Sequence, residues 1–177
     1  SSDLTAAFAK GLEKTTVPGR MEMLSNQRGL LACVDYAHNY LSLNESFKYM
    51  KNTYPNGRLI VVIGAAGGKA ESRRKDIGEA LAKYADVAIL TSEDNFFEDP
   101  YKIDEEIKSH IDNPDVEVHI NVDRAKAIQD AFNMARPGDV MFMAAKGREQ
   151  FMYEKGHDIP YVGDYQLTKK LMREYDE

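Results

Sequence analysis

Four short stretches hold most of the residue types that could do chemistry. "GAAGGK" (64–69) ends on Lys69, and a basic pair, Arg73 and Arg74, follows it. Glycines before a lysine suggest backbone N–H groups and an ammonium turned toward an anion at a helix N-terminus. A self-sufficient nucleotide loop needs G-x-x-x-x-G-K-[ST], whose hydroxyl serves Mg²⁺. Here Gly64 to Gly68 is one residue too short, and Ala70 stands in the hydroxyl position. The dinucleotide pattern G-x-G-x-x-G is also missing. Two readings stay open: an anion-facing turn, or a tight strand-to-helix turn that simply needs glycine.

"DYAHN" (35–39) sets a carboxylate, Asp35, near an imidazole, His38. Together they could hold a ribose or a base. Alternatively Asp35 caps a helix and His38 is solvated. "SEDNFFED" (92–99) gathers four carboxylates within eight residues around Asn95 and two phenylalanines. That is either a solvated acidic face or a pocket for an ammonium group. "AAKGRE" (144–149) adds glycine and charge after an apolar run. His110, His119 and His157 show no metal-ligand spacing and read as structural or exposed. Cys33, the one cysteine, sits in an apolar run and reads as a buried structural thiol in a reducing compartment.

The elements that must position these stretches follow from periodicity. "LLACVDYA" (30–37), "RLIVVIG" (58–64), "DVAILTS" (86–92) and "VMFMAAKG" (140–147) are nearly continuous apolar runs, as parallel strands covered on both faces would be. "VEVHINV" (116–122) alternates, as a half-buried or edge strand does. Between them, helical spacing predicts helices over 39–54, 72–84, 100–111 and 123–135, the last capped by Asp123. A short element near 148–154, a turn around "IPYVGD" and a closing helix over 164–175 complete the chain. This alternation predicts an α/β fold: an open, doubly wound, mostly parallel sheet of about six strands with helices on both faces. Ligands of such a sheet sit beyond the carboxyl ends of its strands. All four chemistry-bearing stretches fall at those ends.

Composition narrows the function classes. A chain of 177 residues is one domain's length, and residues 1–19 read as a linker or a remnant of a preceding domain. The net charge of -6 argues against nucleic-acid binding, which needs a basic face. No apolar run approaches the roughly 20 residues of a membrane span. No signal-peptide apolar core opens the chain, so the expected location is cytoplasmic.

Read together, "VPGRME", "VDYAHN", "IGAAGGKAESRRK", "TSEDN…EDP", "DRAKAI" and "AAKGRE" occur in an order and at a spacing that resemble the C-terminal domain of the Mur ligases. The similarity is greatest to the branch that adds a diamino acid to UDP-N-acetylmuramoyl-L-alanyl-D-glutamate, and it runs from about residue 17 to the end. The resemblance implies a Rossmann-like domain over 20–177. It implies N-terminal and central domains ahead of it, the central one holding the phosphate loop, Mg²⁺ and most contacts to ATP. The implied reaction is ATP-dependent amide formation through an acyl phosphate, within cell-wall peptidoglycan synthesis. This domain alone would then be inactive. A non-catalytic small-molecule-binding module on the same sheet is the alternative.

By position, the resemblance implies that Arg20 reaches the nucleotide, with Asp35 and His38 against its nucleoside side. It assigns Lys69, Asp94, Asn95, Gly147 and Glu149 to the incoming amino acid, Lys69 facing its α-carboxylate. There are departures. Tyr40 replaces a frequent proline, Phe96 and Phe97 replace Pro and Ala or Arg of a D-N-P-[AR] block, and Arg148 replaces a histidine. Diaminopimelate enzymes use the arginine of that block to grip a second carboxylate. Its absence amid acidic residues favours L-lysine, with its single distal ammonium; meso-diaminopimelate is the alternative substrate.

Overall fold

The expected apolar runs pair into the middle of a sheet in the computed structural model, which describes residues 17–68 and 71–177. The strands are β1 (Glu22–Ser25), β2 (Leu31–Asp35), β3 (Leu59–Ile63), β4 (Val87–Leu90), β5 (Glu117–Ile120) and β6 (Val140–Ala144). They form one six-stranded sheet in the order β1-β2-β6-β3-β4-β5. β2 through β5 run parallel, and β1 alone is antiparallel, pairing Glu22 with Val34. The helices are α1 (Tyr40–Thr53), α2 (Glu71–Tyr84), α3 (Pro100–Ser109), α4 (Arg124–Met134) and α5 (Asp164–Asp176).

Strand residues alternate between two cores. Val61, Ile63, Leu90 and Phe142 pack under α1, α2 and α3, through Phe47, Leu81 and Ile107. Ile60, Val62, Ile89 and Met143 pack under α4 and α5, through Ile128, Phe132 and Leu171. Phe47 meets Phe142 edge-on at 5.2 Å between centroids, the favoured geometry for an aromatic pair. Three helix starts follow from side-chain caps. Asn39 accepts from the Ser42 N–H, Asp99 from Tyr101 ahead of Pro100, and Asp123 from Lys126, as its position predicts. The helix-capping alternative for Asp35 does not hold, because Asn39 caps α1.

Three strands escape the periodicity reading. β1 is only four residues and half exposed. The element expected near 148–154 is a hairpin of β7 (Phe151–Glu154) and β8 (His157–Pro160), and β8 takes in the start of the expected turn. Residues 1–16 of the expected linker lie outside the described residues. Among the described residues, no helix is long and apolar enough to cross a membrane.

β6 returns the chain from the β5 edge to a place between β2 and β3. That reversal opens a crevice at the carboxyl ends of the central strands.

Candidate functional site

A cleft of about 410 Å³ lies at this edge. Arg20, His38 and Arg73 line it, and so do Glu93, Asp94 and Glu149, with Val17, Pro18, Tyr36 and Ala145 between. Cations and carboxylates therefore face one volume. Four of the expected residues, Arg20, His38, Asp94 and Glu149, reach it directly.

The acidic side is organised by a residue the sequence reading passed over. Lys146 is fully buried at the end of β6. Its Nζ lies 2.9 Å from Asp94 Oδ1 and 2.7 Å from Glu149 Oε2. It also sits 5.0 Å from the centre of the Phe151 ring. A buried ammonium must be paired, and two carboxylates from different loops do so. Asp94 Oδ1 accepts from Tyr153 N–H as well, at 2.9 Å, which anchors the β7–β8 hairpin to the acidic loop.

Glu93, next in the chain, makes no hydrogen bond or ion pair among the described residues. Burial pushes its carboxyl up to about 7; the neighbouring Asp94 and Glu149 add to the rise, and Arg124 and Lys146 oppose it. Asn95 turns inward: it is buried, and its side-chain oxygen has no hydrogen-bond partner among the described residues. The loop thus presents Glu93 and Asp94, not the expected Asp94 and Asn95, because Phe96 takes a left-handed φ of 54° and bends the chain onto Tyr153.

On the basic side, Arg20 holds its guanidinium 5.8 Å from the centre of the Tyr36 ring. Nδ1 of His38 lies 2.7 Å from the Tyr36 carbonyl. A carbonyl only accepts, so Nδ1 carries the proton and Nε2 is left for a ligand. Asp35 lies beneath the cleft, not on it. It is buried, it accepts from the Ala37 N–H at 3.2 Å, and burial raises its pKa. Gly147 has φ +55°, and a Cβ there would fall 2.5 Å from the Tyr36 ring, so its role is to let the loop close on that tyrosine.

The glycine stretch resolves toward close packing. The Gly67 N–H donates to the Asp94 carbonyl at 2.8 Å. A Cβ on Gly67 would meet the Asn95 carbonyl at 2.0 Å. Gly67→Ala should therefore push the two loops apart and destabilise the domain by about 2 kcal/mol in urea unfolding; an unchanged midpoint would show that they separate freely. Lys69 lies outside the described residues. Of the basic pair, Arg73 lines the cleft, whereas Arg74 is buried against Glu98 and Glu106 at 2.8 and 2.6 Å.

One buried cation ties the strand ends together. Arg124 forms a two-point ion pair with Asp164, at 2.8 and 2.7 Å. It also donates to the carbonyls of Ser92 and Ala144, at 3.1 and 2.7 Å. The loops after β4 and β6 are thus fixed relative to α5.

Residues 19–147 match the family described as Mur ligase, glutamate ligase domain. The chain belongs to that family. The UDP-N-acetylmuramoyl-L-alanyl-D-glutamate–L-lysine ligase of Enterococcus faecalis is 43% identical over 164 residues, 92% of this chain and 32% of that protein. The UDP-N-acetylmuramyl-tripeptide synthetase of Ligilactobacillus salivarius is 40% identical over 165 residues, 93% of this chain and 32% of that protein. A solved UDP-N-acetylmuramoyl-L-alanyl-D-glutamate–2,6-diaminopimelate ligase superposes with a TM-score of 0.81 at 28% identity, covering 98% of this chain and 37% of that one. This Mur ligase domain spans about a third of the length of the curated relatives it matches.

Sequence reasoning did not single out Glu93 and Tyr36, which line the Mur ligase cleft, or Lys146, which is buried behind its acidic side. Lys146 had one usable signal: a lysine closing an apolar run with a carboxylate three residues on. For Glu93 against Asn95 there was none, since the choice is made by a turn.

Proposed function

We propose that this Mur ligase domain closes over ATP and receives L-lysine in a ligase acting on UDP-N-acetylmuramoyl-L-alanyl-D-glutamate. The observation that carries the reading is a single cleft with cations (Arg20, His38, Arg73) and carboxylates (Glu93, Asp94, Glu149) facing each other. The cations suit polyphosphate and nucleoside. The carboxylates suit the ammonium of a diamino acid. N-terminal and central domains would supply the UDP-sugar peptide site and the phosphate loop, and the reaction would run in the cytoplasm, where ATP is found.

In this reading a carboxylate oxygen of the dipeptide attacks the γ-phosphorus and ADP leaves, giving an acyl phosphate. The amine of lysine, in its neutral form, then attacks the acyl carbon. Phosphate leaves, and the amine proton is lost as the amide forms. Positioning and charge neutralisation carry most of such a reaction. Closure around the acyl phosphate would keep water away from it.

Mg²⁺ finds no ready-made site among the described residues. Among the described residues no group of three His, Cys, Asp or Glu side chains could hold a metal ion. Asp94 and Glu149 already share the Lys146 ammonium. The ion belongs with the central domain, and this domain alone is expected to turn over no ATP.

The same pairing selects Glu93 as the acceptor of the distal ammonium, because Asp94 and Glu149 are already engaged. With its carboxyl at about 7, Glu93 loses charge below neutral pH and the ammonium loses its partner. In the full-length enzyme, the KM for L-lysine should rise as pH falls from about 8 to about 6. Glu93→Gln should raise that KM about tenfold or more, flatten the pH trend to the part set by protonation of the attacking amine, and leave the KM for ATP unchanged. A lysine KM indifferent to the substitution would remove Glu93 from the site. Faster ligation of meso-diaminopimelate than of L-lysine would overturn the substrate assignment.

A further inference from the structure

The segment carrying Arg20 is fastened to the rest of the domain at several points. The Tyr36 N–H donates to the Gly19 carbonyl at 2.9 Å. The Gly19 N–H donates to the Glu22 carboxylate. That carboxylate takes a two-point grip from Arg148, with Nε and Nη2 each at 2.7 Å. The Arg148 guanidinium in turn lies 3.8 Å from the centre of the Tyr165 ring on α5. Glu22 is 11% exposed at its side chain, so this pair is better shielded than an ordinary surface bridge.

The chain of contacts runs Tyr165–Arg148–Glu22–Gly19–Arg20. It crosses from α5 through the loop after β6 to the turn that holds the cleft arginine. Tyr36 braces the same turn, since the Arg20 guanidinium faces its ring and its hydroxyl accepts from the Arg148 N–H at 3.4 Å. Only an arginine has the planar fork to grip Glu22 and the flat face to lie on Tyr165.

We propose that Arg148 is a positioning residue for Arg20, a latch that holds the 19–22 turn in the shape that presents Arg20 to the nucleotide. The proposal rests on the ligase reading above for the identity of that ligand, and on geometry alone for the latch. Arg148 itself does not line the cleft and is not placed against substrate.

The test uses the full-length enzyme, with Arg148→Met, Glu22→Gln and the double variant. The expected result is a KM for ATP raised about tenfold in each single variant, with the KM for the amino acid within about twofold of wild type. The melting temperature should stay within about 3 °C of wild type, since a partly exposed pair adds little stability. The double variant should lose no more than either single one, because both cut the same link. Amide exchange in a peptide spanning Gly19 and Arg20 should quicken about tenfold in all three.

Unchanged exchange would overturn the latch. Faster exchange with an unchanged KM for ATP would overturn the positioning role, and so would equal rises in both KM values, which mark general loosening. Wild-type enzyme without ATP-dependent turnover would instead overturn the ligase reading and the nucleotide half of the proposal. Faster exchange in the variants would still uphold the latch in that case.

Discussion

Arg124→Met should cost the domain about 4 kcal/mol, a large share of the total stability of a domain this size. The side chains of Arg124 and Asp164 are 1% and 0% exposed. Methionine fills much of the volume but leaves the Asp164 carboxylate buried without its cation. Tyr161, whose hydroxyl lies 2.6 Å from Asp164, cannot neutralise it. The Ser92 and Ala144 carbonyls also lose their shared donor. With a urea slope of about 2 kcal/mol per molar, the unfolding midpoint should fall by about 2 M. Removing the stranded charge as well, by Arg124→Met with Asp164→Asn, should recover part of the loss, because the two sites act as one. A loss under about 1 kcal/mol for the single substitution would mean that solvent reaches the pair and screens it. The consequence for the site is direct. Ser92 precedes Glu93 and Ala144 lies two residues before Lys146, so a slackened Arg124 tie lets the acidic side of the cleft drift.

What could be read from the sequence divides along physical lines. β3, "LIVVI", is buried at every position, so its apolar run is both necessary and visible. The helix over Leu43, Phe47 and Met50 is visible for the same reason: each residue packs into one core. β1 hides because "EMLS" is half exposed, and its extended shape comes from antiparallel pairing with β2, a tertiary effect. β8, "HDIP", is exposed throughout and is held by β7. The site follows the same rule. That four loops meet at one edge follows from the alternation of strands and helices. Which of two adjacent side chains faces the cleft depends on the backbone turn at Phe96, and periodicity carries no information about that. Lys146 looked like the polar end of a strand; only the packing of Asp94, Glu149 and Phe151 around it makes it the counter-ion of the acidic side.

Asp104→Asn should make the domain more stable at alkaline pH and leave it nearly unchanged at acid pH. Asp104 is 0% exposed on the inner face of α3, and neither carboxyl oxygen has a hydrogen-bond partner among the described residues. Burial pushes its carboxyl up to about 8, with the charge of Arg124 pulling the other way. The unfolded chain ionises an aspartate near 3.9. Below about pH 4 both states hold the proton, and Asp104 contributes nothing to the pH dependence. Between about 4 and 8 the unfolded state gives up its proton while the folded state keeps it. Stability therefore falls through this window, by up to about 1.4 kcal/mol per pH unit, and levels off once both states are ionised. Relaxation of a real interior trims that slope, so the gap between variant and wild type should widen by about 2–4 kcal/mol from pH 5 to pH 8.5. The rise at Glu93 is common to both proteins and drops out of the difference. Urea unfolding at the two pH values measures it. A gap that stays constant within about 0.5 kcal/mol would mean that Asp104 is ionised in the folded domain and satisfied by buried water. In that case α3, which starts where the acidic loop ends, would be anchored by a hydrated charge instead of a neutral acid.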